Sequence, residues 1–76
     1  MNNALKNVGE HFKIKAVHKG RKCGYVKNIN YDTGEVHLTD DKEFALKYIS
    51  EDAVHSDIDF LTKYYFESGY VFIYDK

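Results

Sequence analysis

The stretch Asp32-Thr-Gly-Glu-Val-His-Leu-Thr-Asp-Asp-Lys-Glu-Phe-Ala-Leu-Lys-Tyr-Ile49 decides the fold, because the hydrophobic period changes inside it. Asp32-Thr33-Gly34 is a strong hairpin signal, a short polar run ending in a glycine free to take positive φ. Glu35 to Thr39 then alternates, with Val36 and Leu38 on one side, which is the signature of a half-buried strand. Asp40 and Glu43 have the spacing of a capping box, with Asp in place of the usual Ser or Thr. Phe44, Ala45, Tyr48 and Ile49 follow at helical intervals. A strand thus gives way to a predicted helix near Asp40.

Toward the N-terminus, His11 to His18 alternates strictly, with Phe12, Ile14 and Ala16 on one face and Lys13, Lys15 and Val17 on the other. Lys19 to Lys22 reads as a turn around Gly20, and a second strand runs from Gly24 to Tyr31. Residues 1–9 form a polar lead-in ending at Gly9. Toward the C-terminus, Ser50 supplies a capping hydroxyl, and Glu51 and Asp52 suit the positive end of a second helix. Val54, Ile58, Leu61 and Tyr65 line one face of that helix, and Gly69 is placed to end it in a left-handed conformation. Tyr70 to Tyr74 is a last strand, apolar on both faces. The expectation is a single α+β domain over residues 1–76, β-β-β-α-α-β, with two helices packed on one face of a small, mainly antiparallel sheet. Its core would hold Phe12, Ile14, Val36, Leu38, Val71 and Ile73 from strands, with Phe44, Ile49, Val54, Ile58, Leu61 and Tyr65 from helices.

Charge is distributed unevenly. The first 27 residues carry seven cations against Glu10, and the remaining 49 carry eleven acids against four lysines, so the net charge of −1 hides two opposed halves. A single cysteine, Cys23, excludes an internal disulfide and fits a reducing cytosol or a fold indifferent to redox. The N-terminus lacks the apolar core of a secretory signal, and no apolar run approaches the ~20 residues that span a bilayer. The expected location is the cytoplasm, away from membranes.

The chemistry-bearing residues fall into no catalytic pattern. His11, His18, His37 and His55 stand singly, and with one cysteine there is no zinc spacing. Neither a metal nor a cofactor is implied. Cys23 follows Arg21 and Lys22, which would raise its reactivity, but a lone thiol at a strand start is more often incidental. Asp57 and Asp59 are two apart on a helix and do not face the same way. Asp40-Asp41 and Glu51-Asp52 sit at predicted helix starts, where capping and the macrodipole account for them. Gly20 and Gly24 flank cations without forming a phosphate loop. The reading is a non-enzyme.

Contact surfaces are the stronger signal. With Val71 and Ile73 inward, alternation places Tyr70, Phe72 and Tyr74 on the opposite face, beside Lys13 and Lys15. Tyr25 or Tyr31 and Lys27 join them, depending on register. Such an aromatic stripe would serve as a protein hot spot or stack single-stranded bases. The alternative is a strand buried on both faces. Asp40, Asp41, Glu51 and Asp52 make a second surface of opposite sign.

The segment Thr39 to Tyr48, preceded by Phe12-Lys-Ile-Lys15 and Gly24-Tyr25 and followed by Ser50-Glu-Asp-Ala53, resembles short orphan proteins of phages infecting low-GC Gram-positive bacteria. The resemblance spans most of residues 12 to 65 and carries no catalytic residues. It implies a protein that binds a host machine and inhibits or redirects it. The expected function is therefore a non-enzymatic protein-binding module acting on a host protein of transcription, replication or AAA+ protease machinery. The competing expectation is a single- or double-stranded nucleic-acid binder using Lys13, Lys15, Lys19, Arg21, Lys22 and Lys27. A homodimer is the third.

Overall fold

A computed structural model describes residues 12–75. The lead-in over residues 1–9, and His11, lie outside the described residues. Four strands, β1 (Lys13–His18), β2 (Arg21–Ile29), β3 (Val36–Thr39) and β4 (Tyr70–Asp75), form one antiparallel sheet in the order β3-β2-β1-β4. Among the described residues one α-helix, α1 (Glu51–Tyr64), covers one face.

The turns follow from local chemistry. Lys19 and Gly20 both have positive φ, 51° and 83°, which makes the β1–β2 link a two-residue turn of the type that matches strand twist. The tight turn lets β2 begin at Arg21 rather than at Gly24. Gly24 lies within the strand, at φ 134°, where a Cβ would sit 2.7 Å from the Thr39 carbonyl oxygen. Glycine there admits the close approach of β3. The β2–β3 loop is organised by Asn30, whose Oδ1 accepts from the N–H groups of Asp32 and Thr33 while its carbonyl accepts from Gly34. Ser50 caps α1, its Oγ accepting from Ala53 N–H, with Glu51 and Asp52 in the first turn, as expected.

Two expectations are corrected. The first of the two predicted helices is absent: residues 40–49 contain only a single 3-10 turn at Lys42–Phe44, capped by Asp41. The rest of the segment is drawn into the sheet. Phe12 and Tyr48 exchange both backbone hydrogen bonds, and Leu46 N–H donates to the Val26 carbonyl, so residues 46–48 are bonded to the residue just before β1 and to β2. A helix of under ten residues is marginal by itself, whereas these bonds satisfy backbone groups where β1 and β2 part. The Lys47 ammonium closes the turn by donating to the carbonyls of Glu43 (2.6 Å), Ala45 and Lys42. Phe44 and Ile49, expected in the core, are left 66% and 78% exposed.

The second correction is the orientation of β4. Phe72 is buried and Val71 and Ile73 are exposed, the reverse of the predicted parity. The register pairs Ala16 with Phe72, Ile14 with Tyr74 and His18 with Tyr70 on the helix side. One helix, about 10 Å wide, cannot cover four strands at about 4.8 Å spacing. The rings of Tyr65, Tyr70 and Phe72, with centroids 5.6–6.0 Å apart, extend the cover beyond it. Ala16 and Gly24, paired in one row with Phe72, leave room for its ring. The core is Ile14, Ala16, Val26, Ile29, Val54, Leu61 and Phe72, and the predicted Val36, Leu38, Ile58, Phe12 and Tyr65 pack partly buried against it. α1 stops at Tyr64, and Gly69, at φ 92°, leads into β4 rather than ending the helix.

Candidate functional site

The register assembles the helix-free face row by row. Thr39, Tyr25, Lys15 and Ile73 lie side by side across all four strands, then Lys22, Val17 and Val71, then Lys13 and Asp75. The result is an aliphatic strip, Val17, Val71 and Ile73, bordered by lysines. Val71 is 55% and Ile73 41% exposed, so much of each side chain's possible contact area is uncommitted.

Tyr25 sits on this face yet is buried. The Lys22 ammonium lies 4.8 Å and the Lys42 ammonium 5.9 Å from its ring centroid, and Lys22 also reaches its hydroxyl at 3.5 Å. Two cations over one ring form a positive corner on an aromatic base. Among the described residues the single approach of a basic to an acidic side chain within 4 Å is His37 to Glu35, 3.6 Å apart. Lys15, Lys19, Arg21, Lys22 and Lys27 therefore have no carboxylate partner within 4 Å among those residues. Lys27 is exposed at the irregularity where β2 shifts register against β3.

The predicted site residues separate into three groups. Lys13, Lys15 and Tyr25 are brought together on the open face. Tyr70, Phe72 and Tyr74, expected beside them, lie on the helix side instead: Phe72 in the core, Tyr70 against His18 at 4.5 Å, and Tyr74 against Phe12 and His55 with its hydroxyl on Glu51 at 3.1 Å. Asp40, Asp41, Glu51 and Asp52 are exposed, Asp41 as the cap of the 3-10 turn and Glu51 and Asp52 at the start of α1. Helix acids and strand lysines consequently face opposite sides of the sheet.

Sequence reasoning missed Asp57. Its Oδ2 accepts from the hydroxyls of Tyr31 (2.8 Å) and Tyr48 (2.6 Å), which ties α1 to the hairpin loop and to the segment after the 3-10 turn. Partial burial and then the Asp57 carboxylate raise the Tyr31 pKa to about 12 and push Tyr48 up further. No short-range spacing announces a contact between residues 26 positions apart. Tyr65 makes a parallel link, donating to the Gly34 carbonyl at 2.7 Å, while the Tyr64 ring lies over Gly34. Beside it a small apolar pocket of about 80 Å³ opens between Val36, Leu38, Tyr65, Tyr70 and Phe72. Cys23 packs partly buried against the core, and no group of three or more metal-ligating side chains occurs among the described residues.

No family model, curated protein or solved structure matches the chain. Fold and face together define a class only: a small antiparallel α+β module with a single covering helix and an open, lysine-bordered aliphatic sheet face. No helix among the described residues is long and apolar enough to cross a membrane.

Proposed function

We propose that the chain is a non-enzymatic protein-binding module whose open sheet face receives an acidic, partly apolar segment of another protein. The observation that carries this reading is the exposed pair Val71 and Ile73 on the edge strand, with Lys15 beside Ile73 in register and Lys22 across Val17 from Val71. An aliphatic centre with a charged border is the make-up of a protein contact surface. Base stacking requires exposed flat rings. On the open face the Tyr25 ring is buried and Phe72 lies on the other side, so nucleic acid meeting that face would be left with phosphate contacts. In the setting that the phage resemblance implies, the partner is a component of a host complex.

The test is affinity capture from a low-GC Gram-positive lysate with the natural chain and with Lys15→Glu/Lys22→Glu. A stoichiometric protein held by the first and lost by the second supports the reading. No such protein, or one held equally by both, counts against it. Retardation of single- or double-stranded probes at low salt, lost steeply as salt rises, would favour the nucleic-acid alternative.

A further inference from the structure

The two outer strands of the sheet are not equally protected. β3 is four residues long, follows a register shift in β2, and is flanked by Glu35 and Asp40. β4 is six residues long, pairs with β1 without irregularity, and has no charge before Asp75. It has no proline, no bulge and no inward-pointing charge, the devices that normally block an edge.

The hydrogen-bonding phase of β4 can be deduced. Lys19 N–H donates to the Gly69 carbonyl at 3.0 Å, one step beyond the paired residues. Bonded and non-bonded pairs alternate along an antiparallel ladder. Val71, Ile73 and Asp75 therefore bond to β1, and Tyr70, Phe72 and Tyr74 turn their N–H and C=O groups to the outer edge. Tyr70 N–H accordingly takes the Ser68 hydroxyl at 3.1 Å. The N–H and C=O of Phe72 and Tyr74 have no such partner among the described residues.

We propose that β4 pairs antiparallel with β4 of a second copy of this chain about a two-fold axis at Phe72. The inference does not depend on the docking reading above. Phase and symmetry agree at this register: Phe72 exchanges both bonds with Phe72 of the second copy, and Tyr74 N–H reaches the Tyr70 carbonyl in each direction. On the open face Val71 lies opposite Ile73 of the second copy, so two exposed aliphatic pairs merge into one strip. Charge also matches. Gly69 falls opposite Asp75 of the second copy, and the Lys19 chain runs over Gly69, its Cγ and Cε each 3.2 Å from where a Cβ would stand. Each Lys19 thus meets an Asp75 across the axis. The helices lie on the same side of the joined sheet. One short strand per copy makes a small contact, below the ~1,200 Å² of standard interfaces, with a dissociation constant of about 10–100 µM.

Sedimentation from micromolar to millimolar concentration, with amide exchange at both ends of that range, tests this. The expected result is a monomer–dimer equilibrium in which Phe72 and Tyr74 amides gain protection as the dimer forms. Val71→Lys/Ile73→Lys, both on exposed positions, should weaken it at least about tenfold. Lys19→Glu and Asp75→Lys should each weaken it and their combination restore it, a readout that remains if the lysine double variant misfolds. A chain monomeric up to about 1 mM, a dimer without concentration-dependent protection of Phe72, or one unmoved by both sets of variants overturns the proposal. A monomer that instead captures an acidic partner would leave the docking reading standing.

Discussion

The two faces of β4 contrast more sharply than any two regions of the molecule. Tyr70, Phe72 and Tyr74 point to the helix side and meet the rings of Phe12, His18, His55 and Tyr65, while Val71 and Ile73 point to open solvent. Burial favours aliphatic and aromatic side chains alike, so the strand's composition alone does not choose between the faces. Reach decides. A single helix leaves a wide gap to fill over a four-stranded sheet, and only the larger rings span it. Apolar side chains left on the other face are then available for contact.

The contrast breaks most readily in the core. Leu61→Ala, fully buried under the sheet, should cost ~2–5 kcal/mol in urea unfolding. A loss below about 1 kcal/mol would mean that α1 does not seat as described. Gly34→Ala should cost ~1–3 kcal/mol, because φ is 78° and the added methyl would overlap the Tyr64 ring. Unchanged stability there would show that the hairpin loop does not close on the helix end. Ser50→Ala, removing the cap of α1, should cost ~1 kcal/mol and lower helical circular dichroism.

Titration sharpens the comparison from the helix side. The Tyr31 pKa is raised from 10.0 to about 12, so the folded state favours the protonated phenol. That contribution is complete below pH 10 and is lost as pH rises through about 12. Stability should be level with respect to this group up to pH 10 and fall above it. Asp57→Asn should bring the Tyr31 midpoint, followed by phenolate absorbance, back toward its ordinary value. A midpoint that stays near 12 would assign the whole shift to burial. The smallest effect belongs to the open face: Val71→Ser should change monomer stability by no more than ~0.5 kcal/mol.

Local signals were legible where backbone conformation is set by neighbours. Asp32-Thr33-Gly34 gave the hairpin, Gly20 the first turn, and Ser50 with Glu51 and Asp52 the start of α1. Alternation in β1 correctly put Ile14 and Ala16 opposite Lys13 and Lys15. The helical period at Phe44, Ala45, Tyr48 and Ile49 misled, because backbone groups of Phe12 and Val26 compete for that segment. Of the candidate site, Lys13 and Lys15 were expected on one face, with either Tyr25 or Tyr31 beside them, and the register selects Tyr25. Val71 and Ile73 were placed in the core, and Asp57 was noted only as a helix acid that does not face the same way as Asp59.

The sequence by itself determined the hairpin turns, the capped start of α1 at Ser50, and the separation of a cationic first hairpin from an acidic helix, but not the number of helices. These rest on conformational preferences and periodicities that act over a few residues. Only the tertiary structure decided which way β4 faces, which strands lie at the edges, and that Tyr31 and Tyr48 share Asp57. Those outcomes depend on strand register and on how much sheet one helix can cover, and both are set by contacts between residues far apart in the chain.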